Sequence, residues 1–69
     1  MVKNNLKEIR MKEYLKNKRE FAKMLGISEP QYNRYENGVN QPPLETALLI
    51  AEKLGKSCDE IWRAVSNLE

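Results

Sequence analysis

Apolar residues along the chain recur at three- and four-residue intervals in five blocks separated by Gly, Pro, Asn and Ser. Leu6 and Ile9, with Tyr14 and Leu15 closing the end, predict a first helix from about Asn5 to Tyr14. Phe21, Ala22 and Leu25 predict a second, with Ile27 plugging the turn that follows. Tyr32 and Tyr35 mark the inward face of a third. Leu44, Ala47, Leu48, Ala51 and Leu54 form an i, i+3, i+4, i+7 stripe on a fourth, which starts after Pro42-Pro43. Cys58, Ile61, Trp62 and Val65 share a face of a fifth. No strand-like alternation accompanies these blocks, so the expected class is all-α.

Polar residues punctuate the same pattern. Asn17 with Glu20 three residues on is a capping-box spacing, which starts helix 2 at Lys18. Gly26 follows the last apolar residue of that helix and can take the left-handed conformation of a C-terminal cap. Ser28 then serves as N-cap of helix 3, with Gln31 at the reciprocal position and Pro30 in the first turn, where its missing N–H is no loss. Gly38 ends helix 3, Pro43 opens helix 4, Gly55 closes it, and Ser57 with Glu60 repeats the capping-box spacing before helix 5.

The run from Phe21 to Gly38 therefore reads as two short helices joined by a tight Gly-containing turn, a geometry able to lay one helix in a DNA major groove. It resembles the helix-turn-helix of the phage repressor and Cro family, the XRE-like transcriptional regulators. The resemblance rests on Ala22, Leu25-Gly26-Ile27-Ser28, Arg34 and Glu36-Asn37-Gly38, and on Pro43 to Leu48, Ile50-Ala51, Leu54-Gly55 and Asp59-Glu60-Ile61 in the later helices. It covers about residues 5–65. It implies a compact five-helix, lambda-repressor-like domain and sequence-specific binding of double-stranded DNA. It further implies a dimeric regulator, a repressor on a palindromic operator. One departure is visible: Tyr14-Leu15-Lys16-Asn17 lacks the family's usual glycine and runs one residue longer.

Composition narrows this picture. A 69-residue chain fits a single domain over its whole length, near the lower limit for a core without disulfide or metal. Its one cysteine, Cys58, cannot pair internally, which suits a reducing cytoplasm. No apolar run is long enough to cross a bilayer, and the first residues lack a signal-peptide stretch. Net charge is only +2, but residues 1–43 hold nine Lys/Arg and five Glu while residues 44–69 hold three Lys/Arg and five Asp/Glu. The basic half is the one that contains helices 2 and 3. With no His, no metal-ligand cluster and no phosphate-cradling glycine loop, an enzyme is not expected; neither is a cofactor or a small-molecule effector.

A recognition helix reads bases with the side chains of its first turn and those one turn further along the same face. On helix 3 these are Glu29, Pro30, Gln31, Asn33 and Arg34. Arg34 can bond both O6 and N7 of guanine, and Asn33 can pair with adenine. Glu29 could accept from a cytosine amino group or merely favour the helix start; Pro30 could only pack on a thymine methyl. Phosphate contacts, which position without reading, are expected from Asn17, Lys18 and Arg19 at the start of helix 2, where the resemblance puts a phosphate-touching residue at Lys18. The resemblance adds Asn37 and the loop residue Asn40.

The resemblance also implies a partly buried ion pair between Arg10 and Glu36; two independent surface charges are the alternative. A homodimer is expected through the helix 4–5 turn and helix 5, with Lys56, Cys58, Asp59, Trp62 and Val65 as candidates, although Trp62 is equally suited to closing the core. The competing function is a protein-interaction module of the same fold, an antitoxin or antirepressor partner.

Overall fold

The computed structural model describes residues 1–65. The single-domain expectation extends to residue 69, and residues 66–69 lie outside the described residues. Short strand β1 (Val2–Asn4) leads into α1 (Leu6–Glu8), which continues as a wider π-helical stretch (Ile9–Tyr14). Then follow α2 (Lys18–Leu25), α3 (Glu29–Glu36), α4 (Leu44–Leu54), α5 (Cys58–Ile61) and strand β2 (Trp62–Ala64).

The predicted starts and stops hold for the helix-turn-helix. Asn17 accepts from the Glu20 amide at 2.8 Å, and the Glu20 carboxylate accepts from the Asn17 amide at 3.2 Å, completing the capping box. Ser28 Oγ accepts from the Gln31 amide at 3.2 Å and opens α3. The Gln31 side chain does not reach back; its amide donates to the Tyr35 hydroxyl at 2.9 Å. Gly26 takes φ +79°, and the Ile27 amide behind it bonds to the Ala22 carbonyl at 3.0 Å, so the α2 end is closed as α3 turns away.

Among the described residues, eleven form the apolar core: Leu6, Ile9, Phe21, Ala22, Leu25, Tyr32, Tyr35, Ile50, Ala51, Leu54 and Ile61. Phe21 sits at its centre between two rings, 5.5 Å from Tyr14 and 5.3 Å, edge to face, from Tyr32. Both distances fall in the favourable range for aromatic pairs.

Four expectations need correction. Helix 5 ends at Ile61, because Trp62 turns to an extended conformation (φ −116°, ψ 142°). The chain then pairs antiparallel with β1 in the register Val2↔Ala64, Lys3↔Arg63, Asn4↔Trp62. Trp62 and Val65 are therefore not on a helical face with Cys58 and Ile61. The pairing is flanked by Asn5 N–H to Ile61 O at 2.9 Å and Val65 N–H to Met1 O at 2.8 Å. Each strand has three residues, too few for alternation to show in the sequence, and a mainly helical domain thus carries a small two-stranded ribbon.

The α4 stripe is rotated from the expected one. Ile50 is buried with Ala51 and Leu54, while Leu44 is 75% and Leu48 54% exposed. Helix 1 is also not regular. The Leu15 amide bonds back to the Arg10 carbonyl, five residues earlier, and Leu15 itself is left-handed (φ 53°, ψ 42°). A π turn takes up one extra residue while Ile9, Arg10 and Tyr14 stay directed inward. Leu15, expected to close the helix end, is instead 83% exposed and occupies a conformation usually left to glycine.

Candidate nucleic-acid interface

The face carried by α2 and α3 is built over a buried polar cluster. Arg10 Nε donates to Glu36 Oε1 at 3.0 Å, and the two side chains are 10% and 3% exposed. Tyr32, one helical turn before Glu36, donates its hydroxyl to the same oxygen at 2.6 Å. Lys18 Nζ lies 3.5 Å from Glu36 Oε2. Arg10 NH1 is also held by the Lys16 carbonyl at 3.0 Å, which ties the π-helical end to the start of α2.

The cluster is charge-matched by its own members. Burial works against ionisation of Glu36, but the Tyr32 hydrogen bond, then Arg10 and Lys18, outweigh it and hold the carboxyl below its ordinary value. Burial likewise works against the Arg10 charge, and Glu36 more than restores it. Burial, reinforced by the Glu36 carboxylate, raises the Tyr32 hydroxyl. The pair inferred from resemblance is therefore formed. The contributions of Tyr32 and Lys18 were missed, although the i, i+4 spacing of Tyr32 and Glu36 was a usable signal.

Above this cluster the expected contact residues divide by environment. Glu29, Pro30 and Arg34 are exposed on α3, and Arg34 has no ion-pair partner among the described residues. Gln31 is half-buried and folded along its own helix onto Tyr35. Asn33 is half-buried; its Oδ1 accepts from Lys18 Nζ at 2.6 Å and from Asn37 Nδ2 at 3.3 Å. At the start of α2, Asn17 and Arg19 are exposed, the former with its Oδ1 occupied by the cap, and Lys18 is 36% exposed. Asn40 is exposed in the loop after α3, with its amide 3.4 Å from the Arg34 carbonyl.

β1 buttresses the far end of α3. Asn4 Nδ2 donates to the Tyr35 carbonyl at 2.9 Å, which also accepts from the Gly38 amide at 3.1 Å, and to the Glu36 carbonyl at 3.4 Å, so β1 ties down the last carbonyls of the helix. On the ribbon's exposed side, Lys3 and Arg63 stand directly opposite each other.

A second surface lies away from α3. Val2, Pro42, Leu44, Ala47, Cys58 and Trp62 line an open apolar groove of about 310 Å³. Of the residues expected at a dimer face, Cys58 and Trp62 are in it. Lys56 instead pairs with Glu13 at 3.2 Å, and Asp59 accepts from the Ser57 hydroxyl at 2.5 Å. Trp62 is half-buried, packed against the core, and its indole N–H has no partner among the described residues.

Among the described residues there is no cluster of three His, Cys, Asp or Glu able to hold a metal, and no helix is long and apolar enough to cross a membrane. The family model described as Helix-turn-helix matches residues 6–61, from the first residue of α1 to the last of α5. No match was found among curated proteins.

Proposed function

The chain belongs to the helix-turn-helix DNA-binding regulators of the phage repressor and Cro type, and from that premise we propose that it is a sequence-specific repressor binding a palindromic operator as a dimer. The observation that carries this reading is the division of α3. Tyr32 and Tyr35 are buried against α2, and the opposite face offers Glu29, Pro30 and Arg34 to solvent beside the cationic start of α2.

In this proposal α3 lies in the major groove. Arg34 is the principal base reader, through a two-bond contact with guanine. Glu29, Pro30 and Gln31 shape preference at the neighbouring bases. Asn17, Lys18, Arg19, Asn37 and Asn40 hold the backbone on either side. The Arg10–Glu36–Tyr32 cluster touches no DNA; it ties the end of helix 1 to α3, and the Arg10 bond to the Lys16 carbonyl holds the chain entering α2, on which simultaneous base and phosphate contact depends. Regulation is by occlusion of the promoter, in the cytoplasm, without a small-molecule effector.

A single domain of this size makes few contacts, so affinity requires pairing. The apolar groove supports a second copy as the partner, since Leu44 stands 75% exposed beside Cys58 and Trp62. The same groove would serve an antitoxin- or antirepressor-type protein partner, the competing reading.

Selection from a randomised duplex library with the purified protein tests the proposal. A palindrome with half-sites about ten base pairs apart is expected. Recovery of no motif at low as well as moderate salt would refute it and favour the protein-binding role.

A further inference from the structure

Lys18, Asn33 and Asn37 come from the start of α2, the middle of α3 and its C-terminal cap, and meet in one hydrogen-bonded cluster. An ammonium has only donors, so the atom of Asn33 that faces Lys18 at 2.6 Å is its oxygen. The same oxygen also accepts from Asn37 at 3.3 Å. Both of its lone pairs are then occupied. Pairing with adenine requires that oxygen to accept from the adenine amino group while Nδ2 donates to N7. Asn33 therefore lacks the acceptor that an adenine reader needs.

What the cluster retains, besides the Asn37 Oδ1 acceptor, is a set of donors. These are both N–H groups of Asn33 Nδ2, the second of Asn37 Nδ2 and one of Lys18 Nζ, which have no other partner among the described residues. The charge balance points the same way. Glu36 is already matched by Arg10 and hydrogen-bonded by Tyr32, so Lys18 leaves an excess positive charge at the surface. A cationic cluster with four free N–H donors against a single free acceptor oxygen is complementary to an anion made only of acceptors.

We infer that Lys18, Asn33 and Asn37 form one seat for a DNA phosphodiester, and that Asn33 is a phosphate ligand, not a base reader. This rests on the DNA-binding reading above. It reassigns Asn33 from specificity to positioning, and it gives Lys18 a second role: fixing which end of the Asn33 amide faces the DNA. Both asparagines reach the phosphate as oriented donors, Asn37 held by the Asn33 oxygen and that oxygen held by Lys18.

Two variants test the seat. Asn33→Asp keeps an acceptor for Lys18 and Asn37 but replaces the outward donors with a carboxylate oxygen. Asn33→Ala removes the donors and adds no charge, and serves equally should the first variant fold poorly. Binding is measured by fluorescence anisotropy on the selected duplex and on one of unrelated sequence. Asn33→Ala is expected to weaken both by about tenfold and Asn33→Asp by about a hundredfold. Library selection with either variant is expected to return the wild-type motif. Unchanged affinity on both duplexes, or a changed preference at one base position, would overturn the seat while leaving DNA binding intact. Wild-type protein that binds neither duplex at low salt would overturn the DNA-binding reading itself, and the seat with it.

Discussion

Replacing Glu36 by Gln perturbs the interior of the fold at its most charged point. The carboxylate accepts from Arg10 at 3.0 Å and Tyr32 at 2.6 Å on one oxygen, and faces Lys18 at 3.5 Å on the other. Glutamine keeps the size and one acceptor, but its NH2 must face either Lys18 or the Arg10–Tyr32 side, donor against donor. Arg10 is left one-tenth exposed without its counter-charge. Removing one partner of a buried pair costs about 3–5 kcal/mol. Arg10 keeps its bond to the Lys16 carbonyl, and Lys18 is partly solvated, so the lower end, about 3 kcal/mol, is expected here. A domain of this length has a total stability on the order of 5 kcal/mol. The variant should therefore lose about 12–24 °C in Tm, at about 4–8 °C per kcal/mol.

Urea and thermal unfolding by far-UV circular dichroism measure this loss, with Arg10→Met and the double variant completing a cycle. The double variant should recover part of the loss, because it leaves no buried charge unpaired. The pH dependence adds an independent check. The Glu36 carboxyl is held below its ordinary value near 4.5, so its contribution is complete above that value and disappears as pH falls through the lower, folded-state pKa. Glu36→Gln should lack that acid-side decline. A loss below about 1 kcal/mol, outside the range for a buried pair, or an acid profile indistinguishable from wild type, would refute the argument.

Three further outcomes are expected. Leu15→Gly should raise stability by about 1 kcal/mol, because Leu15 is left-handed and its exposed side chain contributes little packing; a lower urea midpoint would contradict this. Arg34→Ala should weaken the selected duplex by about 1–3 kcal/mol and relax base preference, whereas Lys18→Ala should weaken all duplexes and reduce the salt slope by about one; equal effects of the two on every sequence would remove Arg34 as a base reader. Leu44→Glu should lower the dimer fraction in sedimentation without lowering Tm, since Leu44 is exposed in the monomer; a wild-type chain that sediments as a monomer at high concentration would exclude the groove as a self-interface.

The helix-turn-helix was legible residue by residue, because its signals are local. A cap side chain and the amide it accepts are three residues apart, and the glycine that ends a helix is specified by backbone sterics at that one position. Asn17–Glu20, Gly26 and Ser28 thus placed α2, the turn and the start of α3 without reference to the rest of the chain. Helical spacing alone separated the exposed Glu29, Pro30 and Arg34 from the buried Tyr32 and Tyr35, but did not separate them from the half-buried Gln31 and Asn33.

Where the outcome depended on distant neighbours, local pattern was insufficient. Helix 5 had apolar residues at helical spacing through Val65, yet it stops at Ile61, because Trp62–Ala64 finds hydrogen-bond partners in Val2–Asn4, some sixty positions away in sequence. On α4 two apolar stripes compete, one through Leu44 and Leu48 and one through Ile50, and only packing against the other helices chose the second. The extra residue before α2 was visible, but its accommodation by a π turn and a left-handed Leu15 depends on Arg10 being anchored to Glu36 and Lys16. The same holds at the interface. Residue types nominated Lys18, Asn33 and Asn37 separately. Only the fold brought them onto one oxygen, and that shared hydrogen bond determines which groups each can still offer to DNA.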